Sequence, residues 1–116
     1  MSSTDSVLDH HLEMFGECNL DGLMEDYASD ATFISDGDVL HGSDEIREMF
    51  ADLLEEFDDP SVEFSLDERV IDDEYAYIVW HAETPEHEYE FASDTFVIRD
   101  GEIVTQTLAA DVSPKA

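Results

Sequence analysis

Apolar residues recur at helical spacing in the first half of the chain and alternate with polar ones in the second. From Thr4 to Glu17, the residues Val7, Leu8, His11, Leu12 and Phe15 share one helical face, and Thr4 or Asp5 can cap its N-terminus. Asn19-Leu20-Asp21 starts a second short helix that runs through Tyr27, with Leu20, Leu23, Met24 and Tyr27 inward. Ala31 to Ser35 is β-prone, Asp36-Gly37-Asp38 turns the chain, and Val39 to His41 continues as a short strand. Ser43 caps a third helix, and Asp44 and Glu45 suit its first turn. Ile46, Met49, Phe50, Leu53, Leu54 and Phe57 form its apolar stripe, and Asp59-Pro60 ends it.

The period then changes. Val62, Phe64 and Leu66 alternate with polar residues, and the run continues to Val70-Ile71 before a turn at Asp72-Asp73-Glu74. Tyr75 to Thr84 and Glu88 to Arg99 are rich in aromatic and β-branched residues, and Asp100-Gly101 is a hairpin turn into a last strand from Glu102 to Ala110. Helices gathered ahead of a meander of long strands predict an α+β fold, with helices on one face of an antiparallel sheet of about six strands. Tyr75-Ala76-Tyr77-Ile78-Val79-Trp80 is apolar on both parities. A sheet with one wet face alternates cleanly, so both faces of this strand are expected to be covered.

Length and charge narrow the function. The 116 residues fit one domain spanning 1–116. They carry 32 Asp+Glu against 4 Lys+Arg, a net charge of −28. Four cations cannot build a phosphate-binding patch, so nucleic acid and anionic membrane surfaces are excluded as direct partners. No apolar run reaches the roughly 18–20 residues of a membrane span. The first residues, Met1 to Asp9, lack the basic and apolar regions of a signal peptide. Cys18 is the single cysteine and reads as a small hydrophobe near a turn. Together these features point to the cytoplasm.

The acidic residues are spread along the chain, and seven Phe, four Tyr and one Trp argue against disorder. A halophilic protein fits best, because an acidic surface maintains solubility where salt screens charge. A mimic of a nucleic-acid backbone and an acidic calcium-binding protein are the rivals. The calcium loop D-x-[DN]-x-[DN]-G followed by Glu is absent. Metal-ligand spacing is also lacking: His10 and His11 are adjacent, and His81 and His87 flank Pro85. No metal or other cofactor is expected.

Several segments, in this order, resemble the nuclear transport factor 2-like superfamily, in its SnoaL-like branch. They are Asn19-Leu20-Asp21-Gly22-Leu23, Tyr27 to Phe33, His41 to Phe50, and Asp94 to Val104. The resemblance implies a cone: a strongly curved sheet wrapped round a helix, with a pocket at the open end and a homodimer through the convex sheet face. It implies no single function, since the superfamily includes ketosteroid isomerase, polyketide cyclases, dehydratases, epoxide hydrolases and proteins that only bind. Aligned on these segments, the isomerase's second aspartate falls on Asp94, its tyrosine near His11, and its catalytic base on Ser35 with Asp36 next door.

Asp94 stands among Phe91, Ala92, Phe96 and Ile98, where a buried carboxyl would titrate high and serve as an acid or donor. His11 shares the apolar stripe of the first helix and is either a satisfied core histidine or a general base; His10 points elsewhere and is read as solvated. Asp94, His11 and Asp36 are therefore the candidate catalytic residues. Tyr27, Phe33, Ser35, Phe50, Tyr77, Val79, His81, Phe96, Gln106 and Leu108 are the candidate pocket residues. The inward parity Tyr77, Val79, His81 follows the resemblance and leaves Ala76, Ile78, Trp80 and Ala82 facing a partner subunit. The leading function is binding of a small apolar or mixed-polarity molecule. The alternatives are acid/base chemistry (isomerase, cyclase, dehydratase or hydrolase) and a dimeric association module without ligand.

Self-repulsion at −28 predicts that the chain unfolds more readily in dilute buffer than in molar potassium chloride. Urea midpoints measured across the salt range should rise with salt, and a maximum in dilute buffer would remove the halophilic reading.

Overall fold

The computed structural model of the protein describes residues 3–115. Helix α1 (Thr4–Gly16) starts at Ser3, whose hydroxyl accepts from the Ser6 N–H while Ser6 returns the bond. This reciprocal capping box takes the place of the expected Thr4 or Asp5 cap. Helix α2 (Leu20–Met24) is capped by the Asn19 side chain. It ends three residues earlier than its periodicity predicts, because Tyr27 already belongs to strand β1 (Tyr27–Ser35). Strand β2 (Asp38–His41) follows a two-residue turn in which Asp36 and Gly37 both have positive φ, 53° and 82°. That is the geometry of a primed hairpin turn, which tolerates Asp and suits Gly. Helix α3 (Ser43–Phe57) begins after Gly42, which occupies the cap position at φ 88°; Ser43 is its first helical residue and caps nothing.

Four long strands complete the chain: β3 (Glu63–Asp72), β4 (Tyr75–Glu83), β5 (His87–Arg99) and β6 (Glu102–Pro114). The six-stranded sheet has the order β2-β1-β6-β5-β4-β3. It is curved and unclosed, and the helices fill its concave side. One pairing departs from the antiparallel expectation: β1 runs parallel to β6. Sequence-adjacent strands joined by tight turns must be antiparallel, but β1 and β6 are joined through the whole intervening chain and are free of that constraint.

Paired residues form rows across all six strands. The row Leu40, Phe33, Gln106, Phe96, Ala76, Ile71 lies on the concave side. Phe96 and Ala76 in it have no exposed surface. The neighbouring row Val39, Ile34, Thr107, Thr95, Tyr77, Val70 lies on the convex side. This settles the parity of β4 against expectation. Ala76, Ile78, Trp80 and Ala82 are buried under the helices, while Tyr77 and His81 point outward. Val79 is on the outward parity too, although its neighbours cover it. Both parities of β4 are apolar, so alternation alone could not orient the strand.

Each of the four basic side chains is paired with a carboxylate. Arg69 on β3 reaches Asp5 and Asp9 (2.7 Å to Asp9), tying the edge strand to α1. Arg47 pairs with Asp21, Arg99 with Glu74 at 2.7 Å, and Lys115 with Glu83 at 3.1 Å. Such exposed pairs contribute at most about 1 kcal/mol each, so the core carries the stability. That core joins Leu8, Leu23, Ile46, Phe96 and Ile103, all without exposed surface. No helix among the described residues is long and apolar enough to cross a membrane.

Candidate functional site

Three adjacent strands place polar side chains on one diagonal of the concave face. Asp94 on β5 lies opposite Ile78 of β4 and Leu108 of β6, so Trp80 and Gln106, each two residues along, are its diagonal neighbours. Long side chains span that separation. Trp80 Nε1 donates to Asp94 Oδ1 at 2.8 Å, and Gln106 Nε2 donates to Asp94 Oδ2 at 2.8 Å. The Gln106 carbonyl in turn accepts a hydrogen bond from the Tyr27 hydroxyl at the start of β1. A directed chain therefore runs from Tyr27 through Gln106 to the carboxylate, with Trp80 donating from the other side. All four residues are buried, Asp94 at 5% exposure.

His11 completes the group from above. Its ring stands edge-on to Tyr27, Phe50 and Phe96, with centroids 5.8, 6.1 and 5.2 Å away. Its Nδ1 is buried without a hydrogen-bond partner among the described residues. Few buried polar atoms are left unpaired in native proteins, and each costs about 1–3 kcal/mol. A cavity of about 40 Å³ is lined by His11, Phe33, Phe50, Asp94, Phe96 and Gln106 among others. A water needs about 10–15 Å³ on the same measure, so a few waters fit and a ring system does not.

Burial sets the charge state of both titratable groups. Desolvation pushes the Asp94 carboxyl up to about 6, against the lowering effect of the Trp80 and Gln106 hydrogen bonds. Desolvation also pushes His11 down to about 3, with His10 adding to the effect, so its imidazole is neutral. Burial raises the Tyr27 hydroxyl well above its ordinary range, so it remains a donor.

The candidate residues divide. His11, Asp94, Phe33, Phe50, Phe96, Gln106 and Leu108 line the cavity. Tyr27 lies behind Gln106 and acts through it. Ser35 is half-buried near the end of β1, beyond the cavity wall. Asp36 is exposed in the β1–β2 turn, so a base shifted to that position does not reach the cavity. Tyr77, Val79 and His81 lie on the convex parity of β4 and do not line it; His81 instead pairs with Asp67 at 2.7 Å. Trp80 is the principal residue that sequence reasoning placed on the wrong face. Its signal was available: one inward Asp needs a donor, and Trp80 is on the parity of Ile78, opposite Asp94. Leu12, Phe15, Leu53, Phe64 and Ile78 also form the wall.

Two further polar groups are structural clasps. His10, read as solvated, holds Asp26 with its Nδ1 2.8 Å from both carboxylate oxygens; that hydrogen bond raises its pKa. Glu56 on α3 accepts from Thr84 at 2.7 Å, Tyr89 at 3.0 Å and His87 at 3.1 Å through one oxygen. Ligand atoms of Glu56, Glu86 and His87 lie within 4.8 Å of one another. The hydrogen bonds already account for the half-buried Glu56, which ties α3 to the β4–β5 turn.

The family model for the SnoaL-like domain matches residues 8–106. No curated protein matches the sequence. Solved structures share the fold at low identity. SalBIII, an epoxide hydrolase/cyclase-like enzyme in pyran ring formation in polyether salinomycin, superposes with a TM-score of 0.80 at 18% identity, covering 97% of this chain and 95% of that one. An NTF2-like protein of unknown function from Cytophaga hutchinsonii gives 0.79 at 11% identity, over 96% and 92%. A de novo designed protein with a curved β-sheet gives 0.79 at 13%, over 96% and 88%.

Asp94 and His11 oppose one another in acid. Unfolding lets His11 take up a proton between its folded value of about 3 and its ordinary 6.5, so His11 makes stability rise with pH there. Folded Asp94 holds a proton that the unfolded chain has released between 3.8 and about 6, so Asp94 makes stability fall with rising pH. Asp94→Asn should remove the falling contribution. Its urea-derived stability should then climb more steeply than wild type between these limits, by up to about 1.4 kcal/mol per pH unit. Parallel curves for the two proteins would show that Asp94 does not titrate there.

Proposed function

The chain belongs to the SnoaL-like domain family, and from that premise we propose that it binds a small neutral molecule inside the curved sheet. The observation that carries this reading is a buried His11, its Nδ1 without a hydrogen-bond partner among the described residues, in the wall of a cavity shared with Asp94 and Gln106. Imidazole, carboxylate and amide together offer donors and acceptors to one hydroxyl or carbonyl group. An anionic ligand fits poorly, because it meets a −28 chain and an ionised Asp94.

A second reading is acid/base chemistry, and the Asp94 carboxyl favours it, since a value of about 6 suits proton transfer near neutral pH. SalBIII, an epoxide hydrolase/cyclase-like enzyme in pyran ring formation, shares the fold, so ring closure is the reaction class to assay first. Asp94 would supply the proton and His11 would orient the reacting oxygen; exposed Asp36 has no part.

The reading extends to a homodimer through the convex sheet face. The convex row Val39, Ile34, Thr107, Thr95, Tyr77, Val70 crosses all six strands without a charged residue, in a chain with 32 carboxylates. Val39, Ile34 and Val70 are 41–48% exposed in one copy. Two strongly acidic copies can approach only where charge is absent. We place the single domain, 1–116, in the cytoplasm of a salt-adapted cell, where that surface charge is screened.

Mass spectrometry of the purified protein under native conditions should detect a neutral small molecule, released on unfolding. His11→Phe should lower its occupancy about tenfold while circular dichroism is unchanged. Protein that carries no molecule, and whose melting no neutral compound shifts, would leave the association module as the function. Separately, Thr95→Glu should convert a species of twice the 13.1 kDa chain mass into one of that mass in sedimentation equilibrium. A wild-type monomer would refute the convex interface.

A further inference from the structure

The inner cavity is too small for the molecule proposed above, yet it does not stand alone. A groove of about 240 Å³ lies next to it, lined by Leu12, Phe15, Gly16, Cys18, Phe57, Asp59, Val62 and Phe64. Leu12, Phe15 and Phe64 belong to both walls. They are thus the partition between an apolar groove and a cavity with a polar floor. Joined, the two spaces approach the roughly 300 Å³ at which ordinary ligand pockets begin.

The three side chains are not equally held. Phe15 packs edge-on against Phe57 with centroids 5.2 Å apart, and Leu12 sits on the inward stripe of α1. Phe64 is 42% exposed near the start of β3, an edge strand paired only with β4. It leans on Trp80 at 5.3 Å, and its contact with Phe15 is looser at 6.3 Å. An exposed side chain changes rotamer in picoseconds to nanoseconds without backbone movement. Trp80 cannot follow, because its Nε1 is bonded to Asp94.

We propose that Phe64 is a gate, swinging against the fixed ring of Trp80 to join the groove to the inner cavity. The inference rests on the ligand-binding reading. It names the occupant as a neutral, elongated, largely apolar molecule whose single hydroxyl or carbonyl goes in first, toward His11 and Asp94. The body of that molecule then lies along Phe15, Phe57 and Phe64. Asp59 at the groove rim and the chain's overall charge repel an anionic tail.

The test uses N-phenyl-1-naphthylamine, a neutral apolar fluorophore with one N–H, and follows energy transfer from Trp80, the only tryptophan, in stopped flow. Phe64→Ala should speed association at least tenfold. His11→Phe should weaken equilibrium binding with the association rate unchanged. Phe64→Leu provides a graded opening should the alanine variant fail to fold. Equal association rates in wild type and the Phe64 variants, with the His11 effect retained, would overturn the gate and spare the pocket. No binding in any variant, including the opened ones, would overturn the pocket and the gate with it.

Discussion

Asp94 is a carboxylate inside an aromatic core, and its two oxygens each take one N–H, from Trp80 and Gln106. Much of the site's organisation follows from that cost. Burying an unpaired charge is prohibitive, so the donors must be in place wherever Asp94 is. They come from the strands on either side, which fixes the relative register of β4, β5 and β6 on the concave face. Gln106 donates with its nitrogen, so its oxygen faces the other way and is met by Tyr27, which draws the start of β1 into the same arrangement. Even with these bonds, desolvation dominates and the carboxyl is held near 6. The result is a titratable group in the core, close to neutrality in both senses.

Outside the core the balance of forces is reversed. Four cations, each already paired, face 32 carboxylates. Surface pairing cannot offset that repulsion at low ionic strength, since exposed pairs contribute little and screening is weak. Stability must come from apolar burial, and the chain concentrates it: Phe33, Phe50, Phe57, Phe96, Trp80 and Tyr89 all lie in one core. One convex row is the exception on the surface, carrying threonine, valine, isoleucine and tyrosine instead of carboxylates. Acidic residues are withheld from that row, while Glu68 and Asp72 at the β3 edge end the rows on either side of it.

Elements with a single apolar periodicity were legible in the sequence. The stripe from Ile46 to Phe57 became α3, and Asp100-Gly101 became the turn between the two longest strands, with both residues at positive φ. His11 and Asp94 were legible as polar residues on apolar faces, which is a period-based signal. Failures occurred where the period is degenerate. β4 is apolar on both parities, so its orientation depended on the resemblance, and Trp80 and His81 were exchanged. The order of long-range pairings is not a local property at all, which is why the parallel contact of β1 with β6 was missed. Asp36 was read by proximity to Ser35, but the two positive-φ residues of its turn carry it out of the sheet.

The sheet and helices are held together by one apolar cluster, and that packing alone does not explain Tyr27, Gln106, Asp94 and His11. Four apolar side chains of similar volume would fill the space without the desolvation penalty, and replacing buried polar sets in that way is often neutral or stabilising. An internally satisfied trio could still serve to fix strand register. His11 differs from them: its ring packs against Tyr27, Phe50 and Phe96, but its Nδ1 finds no hydrogen-bond partner among the described residues. An apolar ring of similar size would keep the packing without that unpaired nitrogen, so packing alone does not account for a histidine here. The ligand proposed for the adjoining cavity is what would offset that cost.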